Sequence, residues 1–425
     1  MIESLLEKKN LNLAYERVMA NKGAGGVDGM QLAVLKDHLK TKGYQLIDQI
    51  RTGTYQPAPI KGVGIPKSKG KTRLLGVPTV TDRVFQQALH QVLEPLFEPV
   101  FRPHSYGFRP HRNAHQAVQQ AQAYINEGYG YVVDIDLKSF FDEVAHSLLL
   151  ELIHQKVSCR LTMKLLRKFL RVPIEIDGQL QKRRKGVPQG SPLSPLLSNI
   201  LLNELDKELE GRGHRYVRYA DDFSIYVRSK QSAKRVGNSI FKFLRDKLHL
   251  PINREKSGIR RPLQFEILGY GFVSSYEKGV KGKYQLVVSR KKWADLKARL
   301  KELTRKTTPM SFKERIQRLN WLIRGWINYF KLANIQAKLK ALDEWLRNRL
   351  RYCIWHFWKK PEKKRRSLIR LGVNPNFAYA WSRTRMGGWA VAQSPILGST
   401  ITIARLKKKG YIAMMEYYQK QRSSQ

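Results

Sequence analysis

Cysteine is almost missing: Cys159 and Cys353 are the two in 425 residues. That is too few for a disulfide framework or a Cys-pair zinc module, and it suits a reducing cytoplasm. Long apolar runs are missing too. No signal-peptide core and no stretch of spanning length occurs, so no membrane partner is expected. Acids are scarce, with 34 Asp and Glu against 79 Lys and Arg, for a formal net charge of +45. A surplus of that size exceeds what solubility needs and calls for a polyanionic partner. The cations run along the whole chain rather than sitting in one tail, which points to an extended nucleic-acid track. At 42% apolar content the chain is no disordered polycation; it can bury a large core divided among two or three domains.

Against this scarcity, the placing of a few acids stands out. Tyr216-Val217-Arg218-Tyr219 and Phe223-Ser224-Ile225-Tyr226-Val227 are β-branched and aromatic runs, and they flank Ala220-Asp221-Asp222. The pattern predicts a hairpin with two carboxylates at its tip. Asp is a common turn residue, so the pair alone is weak evidence. A second acidic site strengthens it. In Tyr131 to Leu137, residues 131, 133, 135 and 137 form one strand face, while Asp134 and Asp136 share the other. Adjacent acids repel, and a divalent cation would offset that repulsion. Two magnesium ions roughly 3.5 to 4 Å apart, held by carboxylates from separate strands, are the requirement of two-metal nucleotidyl transfer. Asp136, Asp221 and Asp222 meet it.

Other segments supply candidate contacts. Asn21 to Gly29 is Gly-rich; it can cradle phosphate through backbone amides, but no P-loop ending follows, and its own residues favour a plain turn. Ile65 to Arg73 predicts a hairpin with a cationic turn bracketed by Lys67 and Arg73, able to grip a triphosphate. Gly186 to Pro195 predicts a stiff loop carrying Gln189. There Ser194 serves as N-cap and Pro195 as first residue of a helix that buries Leu197, Ile200, Leu201 and Leu205. From residue 284 the texture turns helical. Leu319, Leu322, Ile323, Trp326, Ile327 and Phe330 form one core stripe, and Leu342, Trp345, Leu346, Leu350, Cys353 and Phe357 nearly repeat it. Arg347, Arg349 and Arg351 are expected on the wet, phosphate-facing side. A basic region with interleaved aromatics follows from Lys359.

Taken in order, these motifs resemble the group II intron reverse transcriptases and maturases over nearly the full length. The resemblance rests on Asn21 to Gly29, Lys67 with Arg73, Ser105 to Pro110, Asp134 to Asp142, Pro188-Gln189-Gly190 with Ser194-Pro195, Tyr219 to Asp222, Asn253 to Ser257, and Leu268 to Phe272. It implies an α+β right-hand polymerase. Fingers and palm, with an antiparallel palm sheet packed on helices, would span 1–283, an all-helical thumb or maturase X domain 284–362, and a basic nucleic-acid-binding region 363–425. It implies Asp136, Asp221 and Asp222 as ligands of two magnesium ions, with Asp136 preferred to Asp134 because the family places an aromatic five residues after the catalytic acid. That aromatic, Phe141, would lie beneath the incoming sugar and clash with a 2′-hydroxyl. Lys67, Arg73, Gln189 and Lys256 would contact the dNTP, Lys256 as a general acid. Gly25, Gly26, Arg109, Arg324, Arg347 and Arg351 would contact nucleic acid.

The implied function is an RNA-directed DNA polymerase that copies RNA into cDNA, binds group II intron RNA, and assists splicing and retrohoming. Its partners would be intron RNA, RNA template with DNA primer, dNTPs and target DNA, in the cytoplasm and at the nucleoid. Many relatives end in an HNH endonuclease with Cys-pair zinc ligands; with no such cysteines, the chain is not expected to cut the second strand. A splicing-only maturase and a freestanding reverse transcriptase in DNA repair or defence are the rival readings.

Overall fold

The computed structural model describes residues 1–66, 72–275 and 282–423. They form two compact units, Met1–Pro262 and Leu263–Gln425.

In the first unit the strands are β1 (Ile60–Pro66), β2 (Thr72–Val77), β3 (Tyr131–Ile135), β4 (Ile174–Ile176), β5 (Gln179–Gln181), β6 (Arg215–Tyr219), β7 (Asp222–Val227) and β8 (Gly258–Arg260). One sheet runs β2-β1-β4-β5, with β1 and β4 parallel through Ile60 and Ile174. A second runs β6-β7-β3-β8 and is antiparallel throughout. The helix Lys230–Asp246 begins at Ser229, whose hydroxyl accepts from Ser232 N at 3.1 Å. Its buried Ala233, Val236, Ile240 and Leu244 fall at helical spacing and join Val133, Ile135 and Ile225 in one apolar core. The same core takes in the helix Val80–Phe97, and the helix Lys8–Ala20 packs on that helix. Thr79 caps the start of Val80–Phe97, and Asp82 there accepts from the Tyr55 hydroxyl and from Ala58 N.

The helix after the stiff loop begins one residue earlier than its sequence suggests. It spans Ser194–Gly211, with Leu193 at the cap position, and Ser194 makes no cap. Its hydroxyl donates instead to Pro188 O at 2.7 Å, tying the loop to the helix it precedes. Leu197, Ile200, Leu201 and Leu205 are buried as the periodicity requires.

The second unit opens with a three-stranded sheet of β9 (Glu266–Ile267), β10 (Tyr270–Ser274) and β11 (Tyr284–Val288) in the order β11-β10-β9. Residue 284 therefore starts a strand, and helices take over at Arg290–Leu303, Phe312–Phe330 and Gln336–Phe357. Leu319, Ile323, Ile327 and Phe330 are buried, as are Leu342, Leu346, Leu350 and Cys353. The second stripe stops short: Phe357 is 70% exposed and Trp355 takes the buried place, because the helix ends there and the next turn is not helical. The C-terminal helix Met414–Ser423 is held from outside its own sequence. The Asp343 carboxylate accepts from the Tyr411 hydroxyl, Met414 N and Met415 N at 2.8–2.9 Å. Among the described residues no helix is long and apolar enough to cross a membrane.

Candidate active site

The turn between β6 and β7 has two residues, Ala220 and Asp221, since Tyr219 pairs with Asp222. Ala220 takes a left-handed conformation, φ +57°, which a residue with a Cβ adopts only when its surroundings impose it. The imposing group is Arg218. Its guanidinium donates to Ala220 O at 3.0 Å, to Asn199 Oδ1 at 2.9 Å and to both Asp206 oxygens, and neither Arg218 nor Asp206 is exposed at all. Asn199 in turn donates to Gly107 O. A Cβ on Gly107 would sit 2.3 Å from Ala220 N, so only glycine lets the 105–108 segment lie against the turn.

Asp136 follows directly on β3. The register pairs Ile135 with Phe223, and one further step sets Asp136 opposite Asp222. Its backbone is fastened on both sides: Asp136 N donates to Ser257 Oγ at 2.9 Å, and Asn253 N donates to Asp136 O at 2.8 Å. Lys256 Nζ lies 3.2 Å from the Asp136 carboxylate. Asp134 is occupied differently, by the Arg260 guanidinium at 2.8 Å. The Asp222 carboxyl is pushed up to about 6, first by desolvation and then by Asp221, Asp136 and Asp134, with Lys256 opposing. Asp222 keeps solvent access, so crowding by protein and by like charge, rather than full enclosure, raises it.

The structure thus brings the three acids to one end of the sheet, within electrostatic reach of one another. It does not close them into a cage: among the described residues no group of three carboxylate, histidine or cysteine side chains is gathered as a formed metal site. The donor set nonetheless fits a magnesium ion, which takes hard oxygen ligands and keeps several waters of its own.

The expected nucleotide contacts form a connected group. Gln189 Oε1 accepts from Arg73 Nε, and Gly76 N donates to Gln189 O at 2.8 Å, so the 186–190 loop lies along β2. At its other end Val187 N donates to Phe141 O and Gly186 N to Val144 O, both at 2.7 Å. Phe141 is 8% exposed, against Phe140. One short loop therefore links Arg73, Gln189 and Phe141. Lys67 lies outside the described residues.

Several expected nucleic-acid contacts are used internally. Arg109 pairs with Glu98 at 2.7 Å and donates to Arg102 O and Ser105 O; its side chain is 5% exposed and locks the loop rather than gripping phosphate. Arg351 donates to Ile401 O, Gly398 O and Asn348 Oδ1. Arg349 donates to Thr304 and Lys301, so these two are not the wet face. Arg347 is half-buried and Arg324 is exposed, both in the second unit. In the N-terminal loop a Cβ on Gly26 would meet Thr79 Cα at 2.7 Å, and one on Gly25 would meet Met30 O at 2.6 Å. These glycines answer to close packing, as the plain-turn alternative holds. Sequence reasoning missed the Arg218–Asp206–Asn199 group. Its one signal was an arginine inside a strand whose neighbours are apolar or aromatic.

The chain is similar to known proteins. The family model described as reverse transcriptase (RNA-dependent DNA polymerase) matches residues 65–272, and the group II intron maturase-specific domain matches 294–372. The chain is 34% identical over 281 residues to protein YkfC of Escherichia coli strain K12, covering 57% of this chain and 74% of that one. It is 30% identical over 327 residues to the group II intron-encoded protein LtrA of Lactococcus lactis, covering 61% of this chain and 54% of LtrA, so it spans about half of that relative's length. Among solved structures, a partial Cas6-RT-Cas1–Cas2 complex aligns with a TM-score of 0.38 at 26% identity, covering 58% of this chain and 42% of that one.

Proposed function

We propose a residue-level mechanism for this chain, which belongs to the group II intron reverse transcriptases and maturases and is an RNA-directed DNA polymerase. Asp136, Asp221 and Asp222 would hold two magnesium ions, which when bound supply charge neutralisation at the transferring phosphoryl group and activation of the primer hydroxyl. The protein's part is positioning. Asp221 and Asp222 are presented by a turn that Arg218 holds in shape, and Asp136 by a strand end fastened through Ser257 and Asn253. Lys256, beside Asp136, stands where it can neutralise a triphosphate or give a proton to the departing pyrophosphate. Arg73, with Lys67, would meet the triphosphate; Gln189 would line the nucleotide pocket, and Phe141 would press against the sugar edge that carries a 2′-hydroxyl in ribonucleotides.

The observation that carries this reading is the register of β3 against β7, which sets Asp136 opposite the Asp221–Asp222 turn, together with the raised Asp222. In the same reading, the expected boundary at 283 moves, since it would divide the β9–β11 sheet: fingers and palm lie within the first unit, the thumb or X domain in the second unit with its helices from Arg290 to about 362, and an accessory nucleic-acid contact beyond. Intron RNA, an RNA template with DNA primer, dNTPs and target DNA are the partners, met in the cytoplasm and at the nucleoid. Maturase action, assisting splicing and retrohoming, would use the second unit, where the maturase-specific match and the exposed Arg324 support it.

Primer extension on an RNA template with purified protein tests the proposal. Asp221→Ala with Asp222→Ala should abolish magnesium-dependent cDNA synthesis and leave RNA affinity within about twofold, since RNA binding is spread over many cations. Extension at wild-type rate by that variant would remove the catalytic assignment.

A further inference from the structure

A cavity of about 880 Å³ lies wholly within the second unit, well away in sequence from the three acids. It is enclosed by the loop before Phe312, the end of the helix Gln336–Phe357, the end of Pro361–Arg370 and the helix Ile403–Lys408. Two features set it apart from a packing fault. Among the described residues its lining includes no carboxylate, while Lys306, Lys359, Arg370 and Lys409 all line it and are exposed. Its walls carry Phe312, Phe357 and Trp358. Phe357 is the anomaly: its spacing would put it on the core stripe of its helix, yet the residue is 70% exposed and lines the cavity, with the Lys363 ammonium 4.6 Å from its ring centroid. The other two lining arginines are engaged. Arg315 donates to the carbonyls of Leu303, Arg305 and Thr308, and Arg405 to that of Thr400, so they build the walls.

A ring open to solvent beside exposed cations, with no acid to compete, is the arrangement that stacks an unpaired base and neutralises its flanking phosphates. We propose that this cavity captures an unpaired nucleotide of single-stranded RNA, the base stacking on Phe357 and the neighbouring phosphates meeting Lys359, Arg370 and Lys409. A duplex cannot use it, because its bases are already stacked and paired and only its phosphates are offered. The choice of RNA rests on the maturase reading above. The stacking chemistry rests on the cavity alone.

The test uses the full chain and a ten-nucleotide RNA carrying one central 2-aminopurine, whose fluorescence falls when the base stacks on an aromatic ring. Wild type should quench it. Phe357→Ala should remove most of the quench and weaken single-strand affinity about tenfold, equivalent to ~1.4 kcal/mol, while affinity for a blunt RNA duplex of the same length is unchanged. Phe357→Trp should restore the quench, which excludes simple loss of fold. The Lys359→Ala, Lys409→Ala double variant should keep a quench at saturation but need several-fold more RNA. A deoxy strand of the same sequence separates the sources: tighter binding of the ribo strand supports RNA, and tighter binding of the deoxy strand overturns that attribution. An unaltered quench in Phe357→Ala, or an equal loss of duplex affinity, would overturn the site itself. Asp221→Asn with Asp222→Asn, run in parallel, should lose extension and keep the quench, so failure of the polymerase mechanism and failure of this cavity are read separately.

Discussion

At the scale of single residues, Asp222 shows what the site costs the protein that carries it. Its carboxyl is raised from an ordinary value near 3.8 to about 6, so between those values the folded state holds a proton that the unfolded chain releases. Stability from this group is therefore present at low pH and lost as pH rises from about 4 through 6. In EDTA, Asp222→Asn should melt above wild type at pH 7, with the difference closing near pH 4; magnesium should raise the wild type at pH 7 and not the variant. Thermal melts at the two pH values check this, and a difference independent of pH would refute it. The acids were legible in the sequence because the turn pair, weak by itself, is joined by Asp134 and Asp136 on one strand face, a placement that structure alone does not ask for. Arg109 was not legible. An arginine in a Pro- and Gly-rich loop reads as a phosphate grip or as a loop lock, and only the position of Glu98 decides between them.

Elements are positioned here by buried charge. Arg218 and Asp206 join β6 to the helix Ser194–Gly211 with no exposure to solvent, and the same guanidinium reaches Ala220 O. Arg218→Met would strand the Asp206 carboxylate and should destabilise by about 3–5 kcal/mol. Adding Asp206→Leu should recover most of that in denaturant titrations, yet kcat should stay at least about tenfold down with little change in dNTP KM, because Ala220 O has lost its donor. Recovery of both would reduce the pair to a structural role. A second buried acid acts at the other end of the chain. Asp343→Ala leaves the Tyr411 hydroxyl and two backbone N–H groups without their acceptor, a loss of about 1–3 kcal/mol, and should speed hydrogen exchange and proteolysis across residues 411–423. The buried cores of the stripes on these helices, Leu319, Ile323, Ile327 and Phe330 and Leu342, Leu346, Leu350 and Cys353, could be read from periodicity, but the exposure of Phe357 could not. Their fastenings could not, since Asp343 and Tyr411 are brought together only by tertiary packing, and Ser194 gave up its expected cap for a bond to Pro188 that sequence spacing does not reveal.

For the whole molecule, the excess of cations sets affinity. With a formal charge of +45, RNA binding should fall steeply with salt, each neutralised phosphate adding about −0.9 to the log–log slope on a duplex. Arg324→Ala should lower that slope by about 1, whereas Arg109→Ala should lower the melting temperature and leave the slope alone. Filter binding from 50 mM to 500 mM salt, roughly the range where counterion release is readable, measures both. Fold class and partner class were open to the sequence because strand alternation and net charge are sums over many residues, insensitive to any one of them. The order of strands within the sheet has a different consequence, felt during synthesis. β3 pairs with β7 and β8, both later in the chain, and with no strand before it. At about 5–20 residues per second, a ribosome leaves that apolar strand with two open edges for several seconds before β7 emerges. Transcripts truncated ahead of codon 222 should therefore yield insoluble product, and the protein should lean on chaperones while it is being made.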